Sequence, residues 1–144
     1  MHQTKDDEHH TASYRIALHF VTLLEQQFPV INSQRSIELH YPHQFADQLN
    51  VHVNHLNRAL KKIFGKTTTH LISERILNES KRLLTEGELT ASEIAFTLGF
   101  SEPTHFTNFF KKRMQVSPIK YRQAQFCTLS VKLVHPLRTK KGSR

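Results

Sequence analysis

The sequence predicts an all-α fold: two helix-turn-helix units joined by one long central helix. Three observations predict it. Apolar residues recur at helical spacing along most of the chain. Gly and Pro fall almost only at the joints between these periodic runs. The run Ala46-x-x-Leu49-Asn50 returns as Ala95-x-x-Leu98-Gly99, 49 residues later.

The elements follow in order. Residues 1–13 are polar and acidic and read as a disordered lead. Tyr14, Ala17, Leu18, Val21, Leu24 and Phe28 make a helical stripe that Pro29 ends. Residues 30–41 form a connection, with Ile37 and Leu39 as its packing residues. Pro42 suits the first turn of a short helix to about Leu49, and Asn50 suits a turn. A second helix runs from Val53 to Phe64 and stops at Gly65. These two make the first helix-turn-helix, about 42–65. Thr67 to Thr69 cap a connecting helix, about 68–86, which Gly87 closes. Thr90-x-x-Glu93 is a capping box that opens the second unit, about 90–114, with a turn at Gly99 and a helix start at Pro103. Ser117-Pro118 opens a last short helix. Thr128 to Lys132 alternates like a strand but has no partner strand. Residues 123–144 form a basic tail.

The chain has 144 residues, enough for one domain or two very small ones. Twenty Lys and Arg against twelve Asp and Glu give a net charge of +8, which favours a polyanionic partner. The first 39 residues are net acidic, and the last 22 carry five basic residues and no acid. A single cysteine, Cys127, excludes an intramolecular disulfide and fits a cytoplasmic protein. No apolar run reaches the ~20 residues of a membrane-spanning helix. Eleven histidines raise a metal reading. His52 and His55 are three apart and His40 and His43 lie nearby, but nothing completes a ligand set, so neither a metal nor a cofactor is expected. No nucleophile–base constellation is visible, and an enzyme is not expected.

The repeat extends beyond its turns. Leu56 falls on Phe106, Leu60 on Phe110, and Lys61-Lys62 on Lys111-Lys112. Ala46 and Ala95 allow close helix crossing. The second helix of each copy buries one stripe and leaves another outward, the arrangement that places a helix in a major groove. Several further residues are similar to a known family. Glu93-Ile94-Ala95, Leu98-Gly99-Phe100, Phe106, Phe109 to Lys112 and Ser117-Pro118-x-x-Tyr121-Arg122 resemble the signature of AraC/XylS-type transcriptional regulators. Ala46, Leu49, Leu56, Arg58 and Gly65 resemble the first half of that DNA-binding domain, and Arg75-Ile76 its connecting helix. The resemblance covers about 43–122, with the helix at 14–28 matching the family's first. It implies a homeodomain-like tandem over 14–122 and a bacterial, sequence-specific DNA-binding regulator. Its partners would be double-stranded promoter DNA and RNA polymerase, and it would bind as a monomer. Members are often longer, with an effector domain in front, so the chain is expected to be either a short regulator or the C-terminal piece of one. This sequence departs from the pattern at Asn50, His52, Asn108 and Gln115, where a turn Gly, a capping Ser, a basic residue and a Gly are usual.

The outward faces supply the chemistry. Asn54, Asn57 and Arg58 share one helix face; Arg can fork onto guanine and Asn onto adenine. Thr104, Thr107 and Asn108 hold the equivalent positions with shorter, uncharged groups. Lys61, Lys62, Lys111, Lys112, Arg113 and Ser117 are phosphate candidates, the last through a helix start. An ordinary solvated polar face explains the same residues. His55 and His105 either touch backbone or phosphate, or pack half-buried. Arg75 and Arg122 read as structural ion-pair partners. Two other functions remain open: a protein–protein interaction module and a non-specific architectural DNA binder.

Overall fold

The computed structural model describes the backbone of residues 3–30 and 32–134 and the side chains of 10–30 and 32–128. Seven helices occur among the described residues: α1 (Gln3–Gln26), α2 (Pro42–Gln48), α3 (Val53–Phe64), α4 (Thr68–Glu86), α5 (Ala91–Thr97), α6 (Pro103–Met114) and α7 (Pro118–Val134). The chain divides into two compact units. One holds α1, α2, α3 and α4 up to Glu79. The other holds the chain from Ser80 onward, with Asn32–Gln34.

The first unit is built around α3. Leu56, Ala59 and Leu60 are buried, and α1 packs on α3 with Ala17, Phe20 and Leu24 buried, as is Phe28 just past its end. Phe20 meets Phe45 of α2 at 5.0 Å between ring centroids. Ala46 is buried, so α2 crosses closely, and its carbonyl accepts a bond from the Val51 N–H across the turn. Asn50 takes φ 54°, the left-handed conformation its short amide tolerates. The connection is anchored by burial of Val30 and Ile37 and by Gln27. The Gln27 amide accepts from the Glu38 and Leu39 N–H groups and donates to the Leu39 carbonyl. Arg75 is a structural ion-pair partner as expected: its Nε lies 2.9 Å from Glu25, and its guanidinium stacks 4.2 Å over Phe28. Buried Glu79 accepts the Val30 N–H at 2.6 Å and faces Arg75 at 3.7 Å, so its charge is compensated.

The second unit packs Leu83 and Leu84 with Ile94, Ala95, Leu98, Phe106 and Phe110. The Phe rings continue edge-on to Tyr121, 5.3 Å from Phe110. The capping box forms as expected. Thr90 Oγ1 accepts from the Glu93 N–H, and the Glu93 carboxylate accepts from the Thr90 N–H. These bonds, with one from Ser33, hold the Glu93 carboxyl below the usual carboxylate range.

Four expectations are corrected. Helical backbone begins at Gln3, inside the expected disordered lead. The run from Gln3 to Ser13 has no Gly or Pro, and extending a helix already anchored by buried Ala17, Phe20 and Leu24 costs little. The last helix is not short: α7 runs 17 residues and absorbs Thr128 to Lys132. Part of the expected tail is therefore helix, and residues 135–144 lie outside the described residues. Among the described residues Arg122 makes no ion pair. It donates to the backbone carbonyls of Leu83 and Leu84 in the last turn of α4, the first of which also accepts the Gly87 N–H, and to that of Leu89 in the loop beyond.

Candidate nucleic-acid interface

Helix geometry sets what the second helix of each unit, α3 and α6, shows outward. At ~100° per residue, Asn54 and Arg58 point roughly 160° and 200° away from buried Leu56. Both are exposed and make no side-chain hydrogen bond or ion pair among the described residues. Lys61 and Lys62 are exposed on the last turn, and Lys61 Nζ donates to the Gly65 carbonyl at 3.2 Å. The start of α3 is fixed by His52, whose Nδ1 accepts the Asn54 N–H at 3.2 Å. Its end is fixed by Gly65 at φ 71°. So a histidine does the work of the capping hydroxyl.

Asn57 sits differently. It lies on the flank, and its side-chain carbonyl oxygen accepts a bond from the hydroxyl of buried Thr68, at the start of α4. One lone pair of the group that would read adenine is thus already engaged within the protein.

The second unit repeats this pattern. Thr104 and Asn108 are exposed on the side opposite Phe106 and carry no side-chain partner among the described residues. Thr107 occupies the flank, half-buried, and its hydroxyl donates to the Pro103 carbonyl at 3.1 Å. Lys111 and Lys112 are exposed. Arg113 is laid 4.0 Å over the Phe109 ring and donates to the Phe109 carbonyl at 3.3 Å. It therefore follows the aromatic side of α6 rather than the outward stripe. Ser117 Oγ accepts the Lys120 N–H at 3.2 Å and so caps α7 itself. Gln115 ends α6 in the left-handed conformation at φ 64°, and its amide donates to the Lys112 carbonyl. The cap that the missing Gly called for is supplied by Gln115 alone.

One group, Glu102, has no place in the pattern the sequence predicts. Glu102 stands at the front of α6, with no side-chain capping bond, in reach of whatever that helix meets. His105 bridges Ser101 Oγ at 3.1 Å and Glu102 at 3.9 Å. The signal was present: Glu102 immediately precedes Pro103, the first residue of the helix. Charge therefore differs between the two faces. The outward side of α3 shows Arg58, Lys61 and Lys62 with no acid on the helix. α6 shows Lys111 and Lys112 with Glu102 at its front. Among the described residues no three His, Cys, Asp or Glu side chains cluster closely enough to hold a metal ion. No helix there is long and apolar enough to cross a membrane.

A family model described as a helix-turn-helix domain matches residues 45–124. The chain belongs to the AraC-type helix-turn-helix family. It is 31% identical over 80 residues to the HTH-type transcriptional activator RhaS of Escherichia coli, an alignment covering 56% of this chain and 29% of that one. The chain spans only about a quarter to a third of the curated relatives it matches, 26% and 29% in two of them. Among solved structures it is similar to an AraC-type transcriptional regulator from Chromobacterium violaceum, at TM-score 0.62 and 21% identity, covering 80% of this chain and 96% of that one. It is likewise similar to the DNA-binding domain of AdpA, described as a global transcriptional factor in complex with a target DNA. There the TM-score is 0.61 and the identity 17%, covering 85% and 96%. At these identities the structural likenesses establish the all-α fold. The AraC-type matched region holds both outward stripes and Arg122, and α7 continues ten residues past its end.

Proposed function

We propose that this AraC-type chain is a sequence-specific transcriptional regulator that reads adjacent major grooves of double-stranded DNA with α3 and α6. The repeated outward stripe carries the reading. Asn54, Arg58 and Lys61 on α3 recur as Thr104, Asn108 and Lys111 on α6, each opposite a buried stripe. Base-reading groups at i and i+4, with a cation one turn on, give hydrogen bonds to base edges and one contact to phosphate. Lys62 and Lys112 supply further phosphate contacts. Asn57 and Thr107 join the readers through the hydrogen-bonding capacity that Thr68 and Pro103 leave open. Arg113 and Ser117 act from the edge, Ser117 by orienting the start of α7. The relative RhaS is named a transcriptional activator, and AdpA a factor bound to its target DNA, which supports promoter DNA as the ligand. RNA polymerase is the further partner such a role requires. The chain binds as a monomer, since two unlike recognition helices already make an asymmetric reader. No catalytic step enters this role.

Selection of DNA from a random duplex pool by the purified full chain tests the reading. An asymmetric motif about two turns long is expected. A palindrome bound by a dimer overturns the monomeric version. Binding with no sequence preference leaves an architectural binder, and no recovery of DNA leaves a protein–protein module.

A further inference from the structure

His55 and His105 occupy equivalent positions on α3 and α6, and both are exposed rather than packed. Each lies on the edge of its helix away from the flank that Asn57 or Thr107 uses within the protein. Along that same edge, seven residues on, stand Lys62 and Lys112. The spacing is about two turns, roughly 10 Å of rise. So each recognition helix has one edge tied into the protein and one edge carrying a histidine near its front and a lysine at its end. A cationic edge beside a base-reading stripe is where a phosphate strand bordering a groove meets the helix.

We propose that His55 and His105 are DNA phosphate ligands, each imidazole donating a ring N–H to a backbone phosphate on the edge shared with Lys62 or Lys112, with binding coupled to protonation of the imidazole. The proposal rests on the DNA-binding reading above. Histidine is the side chain that ordinarily changes charge between pH 5 and 8, and a phosphate favours its charged form. The groups around each are unequal. On α3, His52, Arg58 and Lys62 are the titratable or charged neighbours of His55. The helices packed on α3 bring Arg15, His19 and Glu25 on α1 and His43 and Asp47 on α2. None of these pairs with His55 among the described residues, and Glu25 is held by Arg75. On α6, His105 already bridges Ser101 and Glu102. From the helices packed there, Glu93 is bonded to Thr90 and Arg122 to backbone carbonyls, while Lys120 lies on α7. The Ser101 contact occupies Nδ1, which leaves Nε2 as the nitrogen shared between Glu102 and a phosphate.

The test is affinity of the full chain for a fluorescein-labelled duplex of about 25 base pairs, at pH 6, 7 and 8 and constant ionic strength. Affinity is expected to fall by roughly threefold to tenfold from pH 6 to 8, within the tenfold per pH unit that one coupled proton allows. The salt slope is expected to be steeper at pH 6 by about 0.9 for each histidine engaged. The double variant His55→Gln, His105→Gln should bind with a pH-independent affinity and retain its helical spectrum. His19→Gln, at an exposed position on α1, should keep the wild-type pH dependence. A wild type whose affinity does not change with pH, or a double variant with the wild-type dependence, overturns the proposal while DNA binding stands. Failure to bind DNA at every pH and at low salt overturns the DNA-binding reading with it.

Discussion

Arg58 and Asn57 are neighbours in sequence with opposite commitments. The Arg58 guanidinium reaches outward without a partner among the described residues, while the Asn57 amide serves buried Thr68. Arg58→Ala should leave the melting curve unchanged and relax the selected motif, since a bidentate Arg–guanine pair is worth about 1–3 kcal/mol of discrimination. Asn57→Ala should instead lower stability by about 1–3 kcal/mol, because it leaves a buried hydroxyl unsatisfied. Chemical denaturation of both variants, beside motif selection, checks the pair. If Arg58→Ala unfolds the unit, the outward face is misassigned. His40 provides a second residue-level outcome. Burial lowers its pKa from the ordinary value, so the unfolded chain takes up a proton before the folded one does. Stability should therefore be lost as pH falls below about 6.5 and level off once the folded form also protonates. His40→Gln should remove that component of the stability–pH curve between pH 7 and 5. An unchanged curve would mean that His40 does not titrate differently in the two states.

The helix ends show how similar turns are held by different means. Gly65 and Gly87 both take positive φ, at 71° and 76°. A Cβ at Gly65 would meet nothing within 4 Å, so only the conformational cost applies. At Gly87 it would run into the Phe126 ring, in addition to that cost. Gly65→Ala should thus cost about 1–2 kcal/mol, the penalty of a left-handed non-glycine residue. Gly87→Ala should cost more, because Phe126 must also move. Denaturation midpoints of the two variants decide it, and restoring room with Phe126→Leu should recover part of the Gly87→Ala loss. Gly87 thereby connects α7 to the end of α4 within the second unit, at a position seven residues before Ile94 in sequence and 39 before Phe126. The α7 extension past residue 124 is anchored there.

For the molecule as a whole, the balance of charge sets the expected salt response. Lys61, Lys62, Lys111 and Lys112 face outward from α3 and α6 beside the base-reading Arg58. If these four lysines meet phosphates, log K should fall with log salt at a slope of roughly −4. Changing Lys111 and Lys112 together to Ala should weaken binding to all duplexes alike and flatten the slope by about two. A loss confined to one sequence would move these lysines into the base-reading group. Glu102 would oppose a phosphate at the front of α6, whereas α3 carries no acid. The half-site under α3 is therefore expected to be the more constrained.

Most element boundaries were legible in the residues because local chemistry sets them. Pro42 and Pro103 open helices, Gly65 and Gly99 end helix or turn, and Thr90 with Glu93 builds a box four residues long. The outward stripe was legible for the same reason, since residues four apart share a helix face wherever the helix sits. Long-range partners were not. Helical spacing puts Asn57 on a face with Asn54 and Arg58, but its bond with Thr68 forms only after the chain has turned from α3 into α4. Arg122 was read as an ion-pair partner, yet its acceptors are carbonyls 33 to 39 residues away, which no charge pattern encodes. Thr128 to Lys132 alternates like a strand and is helix. An isolated strand leaves its backbone groups unpaired, whereas extending α7 satisfies most of them internally. Local hydrogen bonding and steric limits are written into a few adjacent residues; side-chain partners depend on which distant segments the packed core brings within reach.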